Sequence, residues 1–187
     1  MFTLCRYIAA FFLLLRVGRV RVSGLENIPK GGAVACGNHG SFLDPVLLDV
    51  AARRRFMFMA KKELFKSPIL GGFLKWLGSY PINRGAAADT AAFKTTLDLL
   101  NKNRLICIFI QGRRDRSGSI TKPKPGAALF AAKSGAPVLP FAIITDYKPG
   151  GGARVIFGKP FGLDGETASP RENSELIAQR INELLAE

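Results

Sequence analysis

"AVACGNHGSFLDPVLLDVAA", residues 33–52, sets a small apolar strand, a polar turn and an apolar helix in one run. Ala33 to Cys36 carry no charge, as expected of a strand buried on both faces of a parallel sheet. Asp44 followed by Pro45 is a helix-start signature, with Asp44 as N-cap and Pro45 in the first turn. Between strand and helix stands His39, the single histidine of the chain.

The same alternation continues outward. "RVRVSG" before it reads as a short strand and "NIPKGG" as a turn. After it come a buried strand behind a basic edge, "RRRFMFMAK", an apolar helix, "PILGGFLKWLG", and a short strand, "SYPIN". "AADTAAFKTTLDLLNKN" has apolar positions at helical spacing, and "RLICIFIQG" is a continuous buried strand. "GAALFAAKSG" is a helix with a glycine stop, "APVLPFAII" and "ARVIFG" are strands, and "SPRENSELIAQRINELLAE" is a closing helix. Strands alternating with helices predict an α/β fold, with a mostly parallel central sheet and helices on both faces. Ligands of such sheets sit beyond the carboxyl ends of strands. The loops starting at His39, Arg84 and Gln111 are therefore expected to converge.

A chain of 187 residues fits one domain, here expected over residues 21–187, with an appended N-terminal segment over residues 1–20. That segment has an apolar run, Tyr7 to Leu15, between Arg6 and Arg16. It is far shorter than the roughly 20 residues needed to span a bilayer. It leads into "RVGRVRV" without a small-residue cleavage site, unlike a signal peptide. It reads as an apolar helix at the membrane interface, arginines snorkelling to phosphates; packing on the core is the alternative.

Lys and Arg number 27 against 14 Asp and Glu, a formal charge of +13. Such a surface attracts phosphate, whether of nucleic acid, anionic lipid or an acidic substrate or carrier. Helix-turn-helix patterns, zinc-ligand spacing and aromatic single-strand platforms are missing, which argues against a nucleic-acid module. Cys5, Cys36 and Cys107 lie in apolar stretches and read as buried thiols, neither a disulfide framework nor a metal site.

An imidazole is suited to take a proton from an attacking hydroxyl, since its unperturbed pKa of about 6.5 is close to neutrality. A carboxylate on the far ring nitrogen would fix its tautomer. His39 and Asp44 are close enough for such a dyad. Spacing alone leaves this reading beside the simpler one, in which Asp44 only caps its helix.

"NHGSFLDP" resembles the Asn-His-x-x-x-x-Asp motif of the glycerolipid acyltransferases, the 1-acylglycerol-3-phosphate (lysophosphatidate) acyltransferase family. Three more stretches resemble that family's later blocks, in order: "KKELFKSPILGGFLKWLGSYPINRG", "FIQGRRDRSG" and "APVLPFAI". The resemblance implies acyl transfer from acyl-CoA or an acyl-carrier protein to the sn-2 hydroxyl of lysophosphatidate, giving phosphatidate. It assigns His39 as general base and Asp44 as its orienting carboxylate. The acceptor would be bound by Asn38, Lys62 (or Lys61), Arg84, Gln111, Gly112, Arg113 and Arg114, with the phosphate on Arg84 and Arg114. It implies no cofactor and no metal, a phospholipid membrane surface as partner, no nucleic acid, and the cytoplasmic face of a bacterial cell membrane.

Gln111 and Arg113 depart from the family's glutamate and threonine or serine, and Ile110 from its proline. The departures keep open another lysophospholipid or glycerol derivative as acceptor, and a non-catalytic lipid-binding protein. The arginines at 113, 114 and 116 also have a plainer reading as a solvated basic loop, and those at 53, 54 and 55 as solvated or lipid-facing.

Overall fold

In the computed structural model, residues 17–52, 54–83, 89–165 and 167–187 are described. Seven strands, β1 (Val20–Ser23), β2 (Ala33–Gly37), β3 (Phe56–Lys61), β4 (Ser79–Ile82), β5 (Leu105–Phe109), β6 (Val138–Ile144) and β7 (Ala153–Phe157), form one sheet. Their spatial order is β1-β7-β6-β2-β5-β3-β4. Every neighbouring pair is parallel except β6 with β7. The helices are α1 (Asp44–Ala51), α2 (Pro68–Trp76), α3 (Thr90–Asn101), α4 (Gly126–Ser134) and α5 (Pro170–Leu185). The expected α/β architecture with a mostly parallel sheet is thus present.

Alternate residues of each strand feed opposite faces. Ala33, Ala35, Phe56, Phe58, Cys107, Leu139, Phe141 and Val155 pack with Leu47 and Leu48 of α1. Val34, Cys36, Ile106 and Val138 pack with Leu100 of α3, Ala127 and Ala131 of α4, and Ile177 and Ile181 of α5. Helices therefore cover both faces, and β2, flanked by β6 and β5, runs through the middle. Cys36 and Cys107 are buried, and desolvation pushes both thiols up. Cys36 lies on the face opposite to α1, turned from His39.

Local chemistry sets the helix ends. α5 begins with a capping box, Ser169 accepting from the Glu172 amide and Glu172 accepting from the Ser169 amide. Asp89 caps α3 through the Ala92 amide, and α4 stops at Gly135, whose φ of 66° is left-handed. α2 departs from the pattern: of its residues only Gly71 is buried.

One expectation is corrected, and another falls largely outside the described residues. Arg54 is neither solvated nor lipid-facing: its guanidinium donates to the carbonyls of Pro29, Gly31 and Asn103, gathering the turns before β2 and β5. Burial and the charge of Arg104 lower its pKa. The N-terminal helix was expected over residues 1–20, but residues 1–16 lie outside the described residues, Val17 is fully buried in the core, and Val20 opens β1. Among the described residues no helix is long and apolar enough to cross a membrane.

β2 ends at Gly37, two residues before His39, and Gly37 sits in register between Phe109 and Phe141. A Cβ there would come within 2.1 Å of the Phe141 ring. Gly37→Ala is expected to destabilise the protein by about 1–3 kcal/mol through overpacking, measured by urea unfolding. Phe141→Leu in the same chain should restore part of the loss; full stability of the single variant would contradict this packing.

Candidate active site

Just past β2 the chain turns through Asn38, His39, Gly40 and Ser41 before entering α1. Asn38 fixes the start of the turn. Its side-chain amide donates to the Ile143 carbonyl and accepts from the Ile143 amide, both at 2.8 Å, continuing the β2–β6 pairing with a side chain. Both ends of that amide are thereby committed to backbone. Asn38 was expected on the substrate; it positions the loop instead.

Asp44 is 1% exposed. It was expected to cap α1, and this too is corrected: the N-cap position is Leu43, without a side-chain cap bond, and Asp44 opens the helix. Its carboxylate turns back onto the loop. Oδ2 accepts from the Gly40 and Ser41 amides at 2.7 and 2.8 Å and lies 2.7 Å from His39 Nδ1. Oδ1 accepts from the Tyr147 hydroxyl. The loop amides take the place of the helix amides because the turn wraps closely around the carboxylate. Asp44 thus holds the Nδ1–H tautomer of His39 and leaves Nε2 as the basic nitrogen.

Neighbouring strands complete the frame. The His39 ring stacks on Phe109, the last residue of β5, with centroids 3.9 Å apart and planes 13° from parallel. Phe109 meets Phe141 of β6 edge-on. Tyr147, beyond β6, has a left-handed backbone (φ 56°). Its amide donates to Thr145 Oγ1, whose hydroxyl donates to the Gly152 carbonyl. Burial first, then the Asp44 charge and hydrogen bond, push the Tyr147 phenol up, so it stays a donor. No local motif marks Tyr147, 103 residues from Asp44 in the chain. Phe109 becomes legible only once β5 is known to lie beside β2.

The loop after β5 closes over the same turn. The Asp115 amide donates to the His39 carbonyl at 2.7 Å, and Arg116 Nε reaches the Gly40 carbonyl at 3.4 Å. The Arg114 guanidinium lies over the Phe42 ring, 3.3 Å from its centroid. Gly40, Ser41, Phe42, Arg114 and Arg116 line an open concavity of about 300 Å³. Of the expected loops, those at His39 and Gln111 therefore meet; Arg84 lies outside the described residues.

The other expected binding residues sit elsewhere in this frame. Gln111 is 6% exposed, and its Oε1 accepts from the Thr121 amide, bracing the long connection to α4. Gly112 has a φ of 65° and donates its amide to Phe109, serving the turn. Arg113 is exposed and pairs with Asp115 at 3.4 Å. Lys62 is exposed in the short 3-10 turn after β3, where its charge helps hold the Asp89 carboxyl below its usual range, after the Asn83 and Ala92 amides. β5 separates that turn from the His39 loop.

Residues 19–144 match the Acyltransferase family. The chain belongs to that family. It is 29% identical to the 1-acyl-sn-glycerol-3-phosphate acyltransferase of Bacillus subtilis, over 98% of this chain and 96% of that one. It is 32% identical to a chloroplastic 1-acyl-sn-glycerol-3-phosphate acyltransferase of Arabidopsis thaliana over 67% of its own length, spanning 36% of that relative. The crystal structure of the 1-acyl-sn-glycerophosphate acyltransferase of Thermotoga maritima shares the fold. Its TM-score is 0.78 at 23% identity, covering 100% of this chain and 80% of that one. The likeness to the glycerolipid acyltransferases in the four sequence blocks is borne out. A metal site formed by three or more His, Cys, Asp or Glu side chains is not found among the described residues.

Tyr147→Phe removes a hydrogen bond to a buried carboxylate without removing the ring. Stability is expected to fall by about 1.5–3 kcal/mol, read by denaturant unfolding. No loss would mean that Asp44 Oδ1 does not depend on this donor.

Proposed function

We propose that the protein transfers a fatty acyl group from a thioester, acyl-CoA or acyl-carrier protein, to the sn-2 hydroxyl of 1-acylglycerol-3-phosphate, forming phosphatidate. The observation that carries this reading is the Asp44-held imidazole beside a concavity bearing Arg114 and Arg116. His39 Nε2 takes the hydroxyl proton as the oxygen bonds to the thioester carbonyl carbon. The resulting imidazolium donates to Asp44 through Nδ1 and is stabilised by it. As the tetrahedral centre collapses, the carbon–sulfur bond breaks and the departing thiolate takes the proton from Nε2. The acyl group passes directly between substrates, and the two buried cysteines have no part in it.

Arg114 holds the acceptor phosphate through forked, charge-assisted bonds, with Arg116 adding charge to the same rim. Arg84 and Lys62 are assigned to the phosphate side on the family resemblance. Gln111, braced on Thr121, acts on the shape of the loop that carries Arg114. The reaction takes place at a membrane surface because acceptor and product are lipids, and the family resemblance assigns it to the cytoplasmic face. The apolar N-terminal run supports that setting.

Release of free thiol from acyl-CoA in the presence of lysophosphatidate tests the reading. His39→Ala is expected to lower turnover by roughly 10³-fold in a protein that still folds, although it is less stable for losing a donor to Asp44; undiminished turnover would overturn the assignment. Arg114→Ala is expected to raise KM for lysophosphatidate about tenfold with little change in kcat. A rise in KM for the thioester alone would place Arg114 on the donor.

A further inference from the structure

Large apolar side chains exposed among the described residues are unevenly placed. Phe42, Leu64, Ile69, Leu70 and Phe73 all belong to segments that follow the carboxyl ends of β2 and β3; Leu129 of α4 is the exception. Ile69 and Phe73 are 86% and 44% exposed and stand one turn apart on the same side of α2. The sequence reads α2 as an apolar helix, and an apolar helix of a globular domain ordinarily turns that surface inward. α2 buries only Gly71 and presents its apolar side outward.

Charge around the patch is one-sided. Lys61, Lys62, Lys66 and Lys75 are exposed along the same stretch, with Glu63 as the single acid between residues 61 and 76. Long basic side chains beside exposed Ile, Leu and Phe suit a surface that is apolar below and anionic at its boundary. A two-fold contact between copies of this chain would bring like charges together, which disfavours self-association there. Topology adds the position. β3 ends at Lys61, and α2 returns the chain to the start of parallel β4, so the first turn of α2 lies on the edge of the sheet where Phe42 and the Arg114 concavity open.

We propose that the face of Ile69, Leu70 and Phe73, framed by Lys61, Lys66 and Lys75, docks on an anionic lipid leaflet and seats the mouth of the site on the bilayer. This contact is borne by the described residues of the domain itself. It rests on the reading of the acceptor as a membrane lipid. A lysolipid then reaches the site with its acyl chain still in the leaflet, presenting only its glycerol phosphate to the arginines.

The test uses the full chain with vesicles of phosphatidylcholine and phosphatidylglycerol. Ile69→Glu/Phe73→Glu is expected to lower vesicle binding roughly tenfold, while Leu129→Glu leaves it unchanged. The double variant should keep its unfolding temperature. KM for vesicle-borne lysophosphatidate should rise about tenfold, and turnover of a short-chain lysophosphatidate dissolved as monomer should not change. Unaltered vesicle binding by the double variant overturns the proposal. So does binding that is lost only when residues 1–16 are deleted, or retained binding with a change of oligomeric state in light scattering, which would assign the face to a second copy. If the parent binds through this face yet acylates neither form of lysophosphatidate, the functional reading fails and the docking face stands.

Discussion

Asp44 carries its carboxyl group into the protein interior, where water cannot solvate it, and the surroundings of His39 are arranged to supply the missing donors. A buried carboxylate without partners is costly enough that few alternative arrangements of the loop would survive. The Gly40 and Ser41 amides close the turn around Oδ2, His39 Nδ1 joins them, and the Tyr147 hydroxyl completes Oδ1. One side chain thereby joins the loop after β2, the first turn of α1 and the connection between β6 and β7. Satisfying the carboxylate and orienting the imidazole are the same act.

The ring also needs a wall. Phe109 supplies it from β5, and Phe141 supports Phe109 from β6, so both neighbours of β2 in the sheet hold the histidine. The aromatic series continues inward from Phe141 to Phe157 and Phe56. It fits because Gly37 has no Cβ to collide with the Phe141 ring. A rigid core is in this way extended up to the reacting nitrogen, as precise orientation of a general base requires.

Electrostatics divides the basic residues by task. Arg54 is consumed in bracing turns at the far end of the sheet, Arg113 pairs with Asp115, and Arg114 and Arg116 line the concavity beside His39. The formal charge of +13 is therefore not one undifferentiated surface. Part serves the fold, part faces the position where a phosphate is proposed, and the lysines around α2 frame an apolar face on the same edge of the sheet.

Much of this could be read from the chain alone. The strand–helix alternation fixes an α/β sheet because buried parallel strands must be uncharged and their crossovers helical. The spacing of His39 and Asp44 across a short turn allows the pair without deciding between a dyad and a helix cap; the ordered family blocks favoured the dyad. Four ordered blocks named the family. Other features depended on neighbours that no local pattern specifies. Asp44 looked like a helix cap, yet its oxygens serve the loop. Asn38 and Gln111 looked like ligands for a substrate, yet Asn38 continues a strand pairing and Gln111 braces a connection. Tyr147 carried no signal at all. Which donors reach a buried carboxylate, and which face of an apolar helix is left uncovered, are decided by strand order and packing, since both depend on segments far apart in sequence meeting in space.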